Sequence, residues 1–161
     1  MDEMKREIII VVPHPDDEII GSYEVLMNKE ISPIIIYTAD VDNDRRQEAL
    51  NLKNFIPNIK VQLFQKEIPQ PFKNPNSIFY FPDPSEFHPE HRRVGIIGEQ
   101  LFRDGLEVIF YTTNMQTYYI HEVPNWKDKR DLLNKTYPSQ KSLWKNDHKY
   151  FLFEGRCAYI R

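Results

Sequence analysis

The sequence predicts an α/β protein built on an open, mostly parallel sheet. Three observations carry this. Residues 8–12 read Ile-Ile-Ile-Val-Val, an unbroken apolar and β-branched run of the kind found in strands buried on both faces. Similar runs then alternate with stretches of helical period, which is the βαβαβ order of a parallel sheet with right-handed crossovers. The length, 161 residues, suits one domain with a true hydrophobic core. The expectation is a Rossmann-like sheet with helices on both faces, in a single domain over residues 1–161.

The elements follow in order. Pro13 and Pro15 stop the first strand, because proline lacks a backbone donor and restricts the residue before it. Ile19, Ile20, Tyr23, Leu26 and Met27 share one helical face, so the spacing predicts a helix over 17–29. Ile34 to Tyr37 is a second strand. A polar loop over 40–44 leads to Ala49, Leu52, Phe55 and Ile56, a second helical face that Pro57 closes. Lys60 to Phe64 is a third strand. Five prolines at 69, 71, 75, 82 and 84 exclude a long helix from 65–87, while Phe72, Phe79, Tyr80, Phe81 and Phe87 argue against disorder. This segment is expected to be an ordered, proline-rich active-site loop with a short strand at 78–81.

Pro89 fits the first position of a helix, which makes His88 the N-cap and places His91 third in. Val94, Ile97 and Leu101 extend its face and Gly105 stops it. Val108 to Tyr111 is a further apolar run. Tyr118 to Val123 is an edge strand, since Pro124 follows. Asn125 caps a helix carrying Leu132 and Leu133, and one more strand lies within 150–160.

Composition narrows the function. Net charge is −3, so no global field recruits nucleic acid or an anionic membrane. Lys127, Lys129, Arg130, Lys135, Lys141, Lys145 and Lys149 interleave with Trp126, Tyr137, Trp144 and Tyr150. Asp128, Asp131 and Asp147 break that face, however, and favour a solvated surface over a nucleic-acid site. The single cysteine, Cys157, excludes an internal disulfide framework and reads as a small buried hydrophobe in a reducing compartment. The N-terminal apolar stretch is too short for a leader core or a membrane span, so a cytoplasmic protein is expected. A homo-oligomer remains open.

The chemistry concentrates where the first strand stops. Four ionisable residues, His14, Asp16, Asp17 and Glu18, follow within five positions, at the carboxyl end of a strand where open α/β sheets bind ligands. His14 and Asp17, three apart on a proline-stiffened turn, can reach one zinc-like ion, with Asp16 between them pointing elsewhere. Alternatively, the carboxylates simply cap the following helix. His88 and His91 share a face in the first turn of their helix. The helix dipole disfavours imidazolium there, so both rings are expected to be neutral, the metal-binding form.

Pro13-His14-Pro15-Asp16-Asp17-Glu18 and His88-Pro89-Glu90-His91 together resemble the two signatures of the PIG-L/LmbE-like deacetylases. These are zinc-dependent enzymes that remove an N-acetyl group from molecules containing N-acetylglucosamine. The resemblance implies one zinc per chain held by His14, Asp17 and His91, with Asp16 as general base. His88 would stabilise the tetrahedral intermediate or act as acid, and Glu18 would stand behind the ligands. Arg45-x-x-Glu48 is similar to the family's Arg-x-x-Glu, whose arginine faces an amino-sugar substrate; an exposed helical ion pair is the alternative. Lys129 and Tyr137-Pro138-Ser139-Gln140 are similar to its late Lys…Ser-Gln element. Tyr118 and Tyr119 are candidates to line the sugar pocket. The chain departs from the family in having only Gly21 after the acidic turn and Thr38-Ala39-Asp40 where Thr-Asp-Gly is usual, and in its shorter length.

Rival readings differ in weight. A signalling receiver domain needs an aspartate just after the third strand, where Gln65-Lys66 stands. A metal-dependent hydrolase of another amide, and a weakly active family member that binds sugar or metal, both stay open.

Overall fold

The computed structural model describes residues 5–115 and 119–157, with the backbone alone at Cys157. The reading of Tyr118, and that of the Cys157 side chain, therefore fall outside the described residues.

Seven strands form one sheet: β1 (Glu7–Val12), β2 (Ile34–Tyr37), β3 (Val61–Phe64), β4 (Ser77–Pro82), β5 (Glu107–Thr112), β6 (Tyr119–Glu122) and β7 (Phe153–Cys157). Their order is β3-β2-β1-β4-β5-β7-β6, parallel through β5 and antiparallel at β7 and β6. The α/β, mostly parallel sheet is as expected. Pairing Ile9 with Ile34 on one side and with Phe79 on the other makes β1 central, which is why its run is apolar throughout.

The helices are α1 (Asp17–Met27), α2 (Asn43–Phe55), α3 (Pro89–Arg103), α4 (Trp126–Thr136), α5 (Lys141–Lys145) and α6 (Lys149–Leu152). Ile10 and Val12 of β1 pack with α1, α2 and α4, whereas Ile9 and Val11 pack with α3, so helices cover both faces. No helix among the described residues is long and apolar enough to cross a membrane.

One boundary differs from the sequence reading, and two expected strands gain definite ends. α1 ends at Met27 rather than 29. The strand expected at 78–81 is β4, a six-residue strand between β1 and β5. The prolines of 65–87 fall before Ser77 and at or after Pro82, so the residues between are free to pair. The strand expected within 150–160 is β7, which starts at Phe153 because Tyr150 lies in the short α6.

The chain moves left from β1 to β3, then crosses to β4 on the other side of β1. The carboxyl ends of β1 and β4 thus flank the switch point, where an open α/β sheet leaves a crevice. Gly95 lets α3 lie against the chain leaving β4: a Cβ there would stand 2.7 Å from the Pro82 carbonyl and from the Pro84 backbone. That contact fixes how far the start of α3 sits from the end of β1.

Candidate metal centre

The turn after β1 is held by its own carboxylates. Asp17 Oδ2 accepts from the His14 backbone N–H at 2.9 Å, and the Glu18 carboxylate accepts from the Asp16 N–H at 3.0 Å. Asp16 itself makes no side-chain cap bond to α1, so simple helix capping does not account for it. Its backbone sits at φ 108°, a conformation that costs an L-residue energy and is found where function constrains the chain. Glu18 is fully buried, and the Tyr137 hydroxyl donates to it in a very short hydrogen bond.

The other half comes from the start of α3. Pro89 is at the first helical position, and His88 caps the helix, its Nδ1 accepting from the Glu90 N–H at 3.2 Å. A ring nitrogen that accepts carries no proton, so neutral His88 holds its proton at Nε2. His91 is buried in the first turn.

Three atoms then meet. His91 Nε2 lies 3.1 Å from Asp17 Oδ2 and 3.3 Å from His14 Nδ1, and His14 Nδ1 lies 3.4 Å from Asp17 Oδ2. Ligand atoms bound at tetrahedral angles around a small divalent ion stand roughly 3.3–3.6 Å apart. The donor set, two imidazoles and one carboxylate, fits such an ion. A second set is available, since ring nitrogens of His14, His88 and His91 all lie within 4.8 Å of one another. In the first set every pair of atoms lies within 3.4 Å, and in the second His88 Nδ1 is already engaged in the helix cap.

His91 is oriented from behind by residues that the sequence reading missed. Thr113 Oγ1 donates to Glu86 Oε1 at 3.1 Å and lies 3.1 Å from His91 Nδ1. A hydroxyl has one proton, so Thr113 accepts from His91 Nδ1–H, and in the neutral ring the lone pair is then on Nε2, facing the site. The Thr113 N–H also donates to Glu86 Oε1, at 2.6 Å. Thr113 follows the end of β5, at the strand edge where ligand sites gather, and Glu86 precedes His88 by two; these were the available signals.

The charges are arranged in opposition. Burial works to lower the His91 pKa, but Asp17 and Glu86 outweigh it and lift it to about 10. The expected neutrality therefore holds for His88, whose pKa burial and its two histidine neighbours lower, and fails for a metal-free His91. The protonated ring lies between two carboxylates, Asp17 at Nε2 and Glu86 at Nδ1. Burial would raise Asp17, yet His91 and His14 hold it well below the carboxylate range. Asp16 is pushed well above that range by burial and by the Asp17 and Glu18 charges. Burial also raises Glu18, to about 7. Adjacent carboxylates driven apart in this way suit an ionised ligand beside a proton-transferring group.

These residues open into a cavity of about 480 Å³, lined also by Arg45, Asn114, Gln140, Leu143, Lys149 and Tyr150. Arg45 donates to the Pro15 carbonyl at 3.0 Å. Glu48 does not pair with it, and instead accepts from the Ser139 N–H and hydroxyl, which ties the late Tyr137–Gln140 element to α2. Lys129 is fully buried away from the cavity, donating to the carbonyls of Ile20 and Phe153. Tyr119 is a correction. It lies 60% exposed on β6 and does not line the cavity, because β7 inserts between β5 and β6 and carries the edge strand away. Tyr150 lines the cavity in its stead.

Glu24, His121 and Glu154 form a second group with ligand spacing. The buried Glu154 is already matched there by Lys129 and Arg156, each at 3.8 Å. Comparison with family models, with curated proteins and with solved structures gave no match.

Proposed function

We propose that the protein is a zinc-dependent hydrolase that removes the N-acetyl group from an N-acetylglucosamine-containing small molecule or glycoconjugate. The observation that supports this reading most is the triangle of His14 Nδ1, Asp17 Oδ2 and His91 Nε2, with the strained, buried Asp16 beside it. The resemblance of both motifs to the PIG-L/LmbE-like deacetylases supplies the substrate class.

His14, Asp17 and His91 would hold the metal, one per chain. A zinc ion held by these three residues would supply a Lewis acid for the amide carbonyl and a water whose pKa is lowered toward ~7. Asp16 accepts the proton of the attacking water and hands it to the leaving nitrogen, a task suited to a carboxylate whose pKa is raised. His88 directs its Nε2–H at the carbonyl oxygen as negative charge builds there. Glu86 and Thr113 hold the His91 tautomer, and Arg45 bonds the Pro15 carbonyl and braces the acidic turn. The products are acetate and a free amino sugar.

The test is acetate and amine release from N-acetylglucosamine and its glycosides by zinc-loaded protein, beside N-acetyl-lysine peptides. Release from the sugars alone is expected. Cleavage of the peptides with no cleavage of any amino sugar would overturn the substrate class and leave a metal-dependent hydrolase of another amide.

A further inference from the structure

We infer that the mouth of the cavity is a subsite for an apolar group, aromatic or alkyl, attached to the amino sugar. This rests on the deacetylase reading and adds the chemistry of the attached group. Phe87 is 69% exposed and Leu143 is 45% exposed, and both line the cavity that holds His88 and Asp16.

Neither side chain is exposed by looseness of its segment. Phe87 lies between two anchored residues, since Glu86 is buried on Thr113 and His88 caps α3. Its carbonyl and that of Glu86 accept from Arg92. Leu143 precedes Trp144, which is buried and donates from Nε1 to Asn134 at 2.8 Å. Two braced segments distant in the sequence thus hold large exposed apolar side chains on one cavity, which Tyr150 also lines. Apolar surface fixed in this way at the entrance to a polar, catalytic-type pocket is the mark of a site that an apolar ligand covers.

The charges at the same opening do not favour a phosphate. Lys149 pairs with Asp147 at 3.1 Å, and Arg45, which keeps its charge while donating to the Pro15 carbonyl, is outnumbered by the carboxylates of the cavity. The carboxylates of Asp16, Asp17 and Glu86 line the interior.

The experiment is calorimetric titration of the full chain, with and without zinc, against N-acetylglucosamine, its phenyl and octyl glycosides and its 1-phosphate, with acetate release measured separately. The phenyl or octyl glycoside is expected to bind about tenfold or more tighter than the free sugar. Phe87→Ala and Leu143→Ala should each reduce that ratio, and Phe87→Trp should keep it. Both side chains are exposed, so neither truncation opens a core cavity. Equal affinity for free sugar and apolar glycosides, tighter binding of the 1-phosphate, or no binding at all overturns the subsite. Preferential binding without acetate release keeps the subsite and overturns the deacetylase reading.

Discussion

Thr113 Oγ1 stands 3.1 Å from His91 Nδ1, on the ring nitrogen that does not face Asp17. Because the same hydroxyl donates to Glu86, it fixes the imidazole tautomer that offers Nε2 to a metal. Thr113→Val keeps the shape and removes both bonds. Zinc affinity is expected to fall about 10- to 100-fold, as is usual when a partner behind a ligating histidine is lost. Competition against a chelating indicator measures this, and unchanged affinity would remove Thr113 from the site.

Asp16→Asn tests the base. Asparagine matches aspartate in size and tolerates positive φ, so the strained turn at φ 108° survives. The variant should retain zinc and lose about 10²–10⁴ in turnover. Deacetylation near the wild-type rate would assign the base elsewhere.

His88 and His91 should separate on mutation, since His88 lies outside α3 as its cap and His91 lies within its first turn. His91→Ala should weaken zinc binding, with activity partly restored in excess zinc. His88→Ala should keep zinc at full stoichiometry, lose about 1 kcal/mol of stability with the cap, and lose about 10²–10³ in turnover. Equal zinc loss in both variants would make His88 a ligand.

Lys129 should carry a stability signature of its own. Burial lowers its pKa to about 8, against the pull of Glu154. The folded chain therefore releases this proton before the unfolded chain, where lysine titrates near 10.5. Between those two values the unfolded state binds more protons, so this group makes stability rise with pH. Lys129→Met should flatten that rise and cost on the order of 3 kcal/mol at neutral pH, because Glu154 is left buried with one cation fewer. Denaturant melts across pH measure both effects.

Much of this molecule was legible in its sequence because it depends on short-range pattern. The apolar run of β1, the prolines that stop it, and the three-residue spacings His14–Asp17 and His88–His91 each lie within one element or turn. What was hidden depends on distant segments. The strand at 78–81 was legible, but its central place between β1 and β5 is set by its pairing with both and not by its own residues. Glu86 and Thr113 are 27 residues apart and gain meaning only when β4 and β5 pair. Tyr119 was drawn toward the pocket by its residue type, whereas the insertion of β7 sends it to the far edge and brings Tyr150 in.

The central claim is the metal centre, and X-ray absorption at the zinc edge on the reconstituted chain, with zinc content measured on the same sample, tests it most directly. The account predicts one zinc per chain, with two imidazole nitrogens and a carboxylate oxygen at about 2.0–2.2 Å, and loss of that signal in Asp17→Ala. Zinc content no higher than background, or a three-imidazole shell that survives Asp17→Ala, would contradict it.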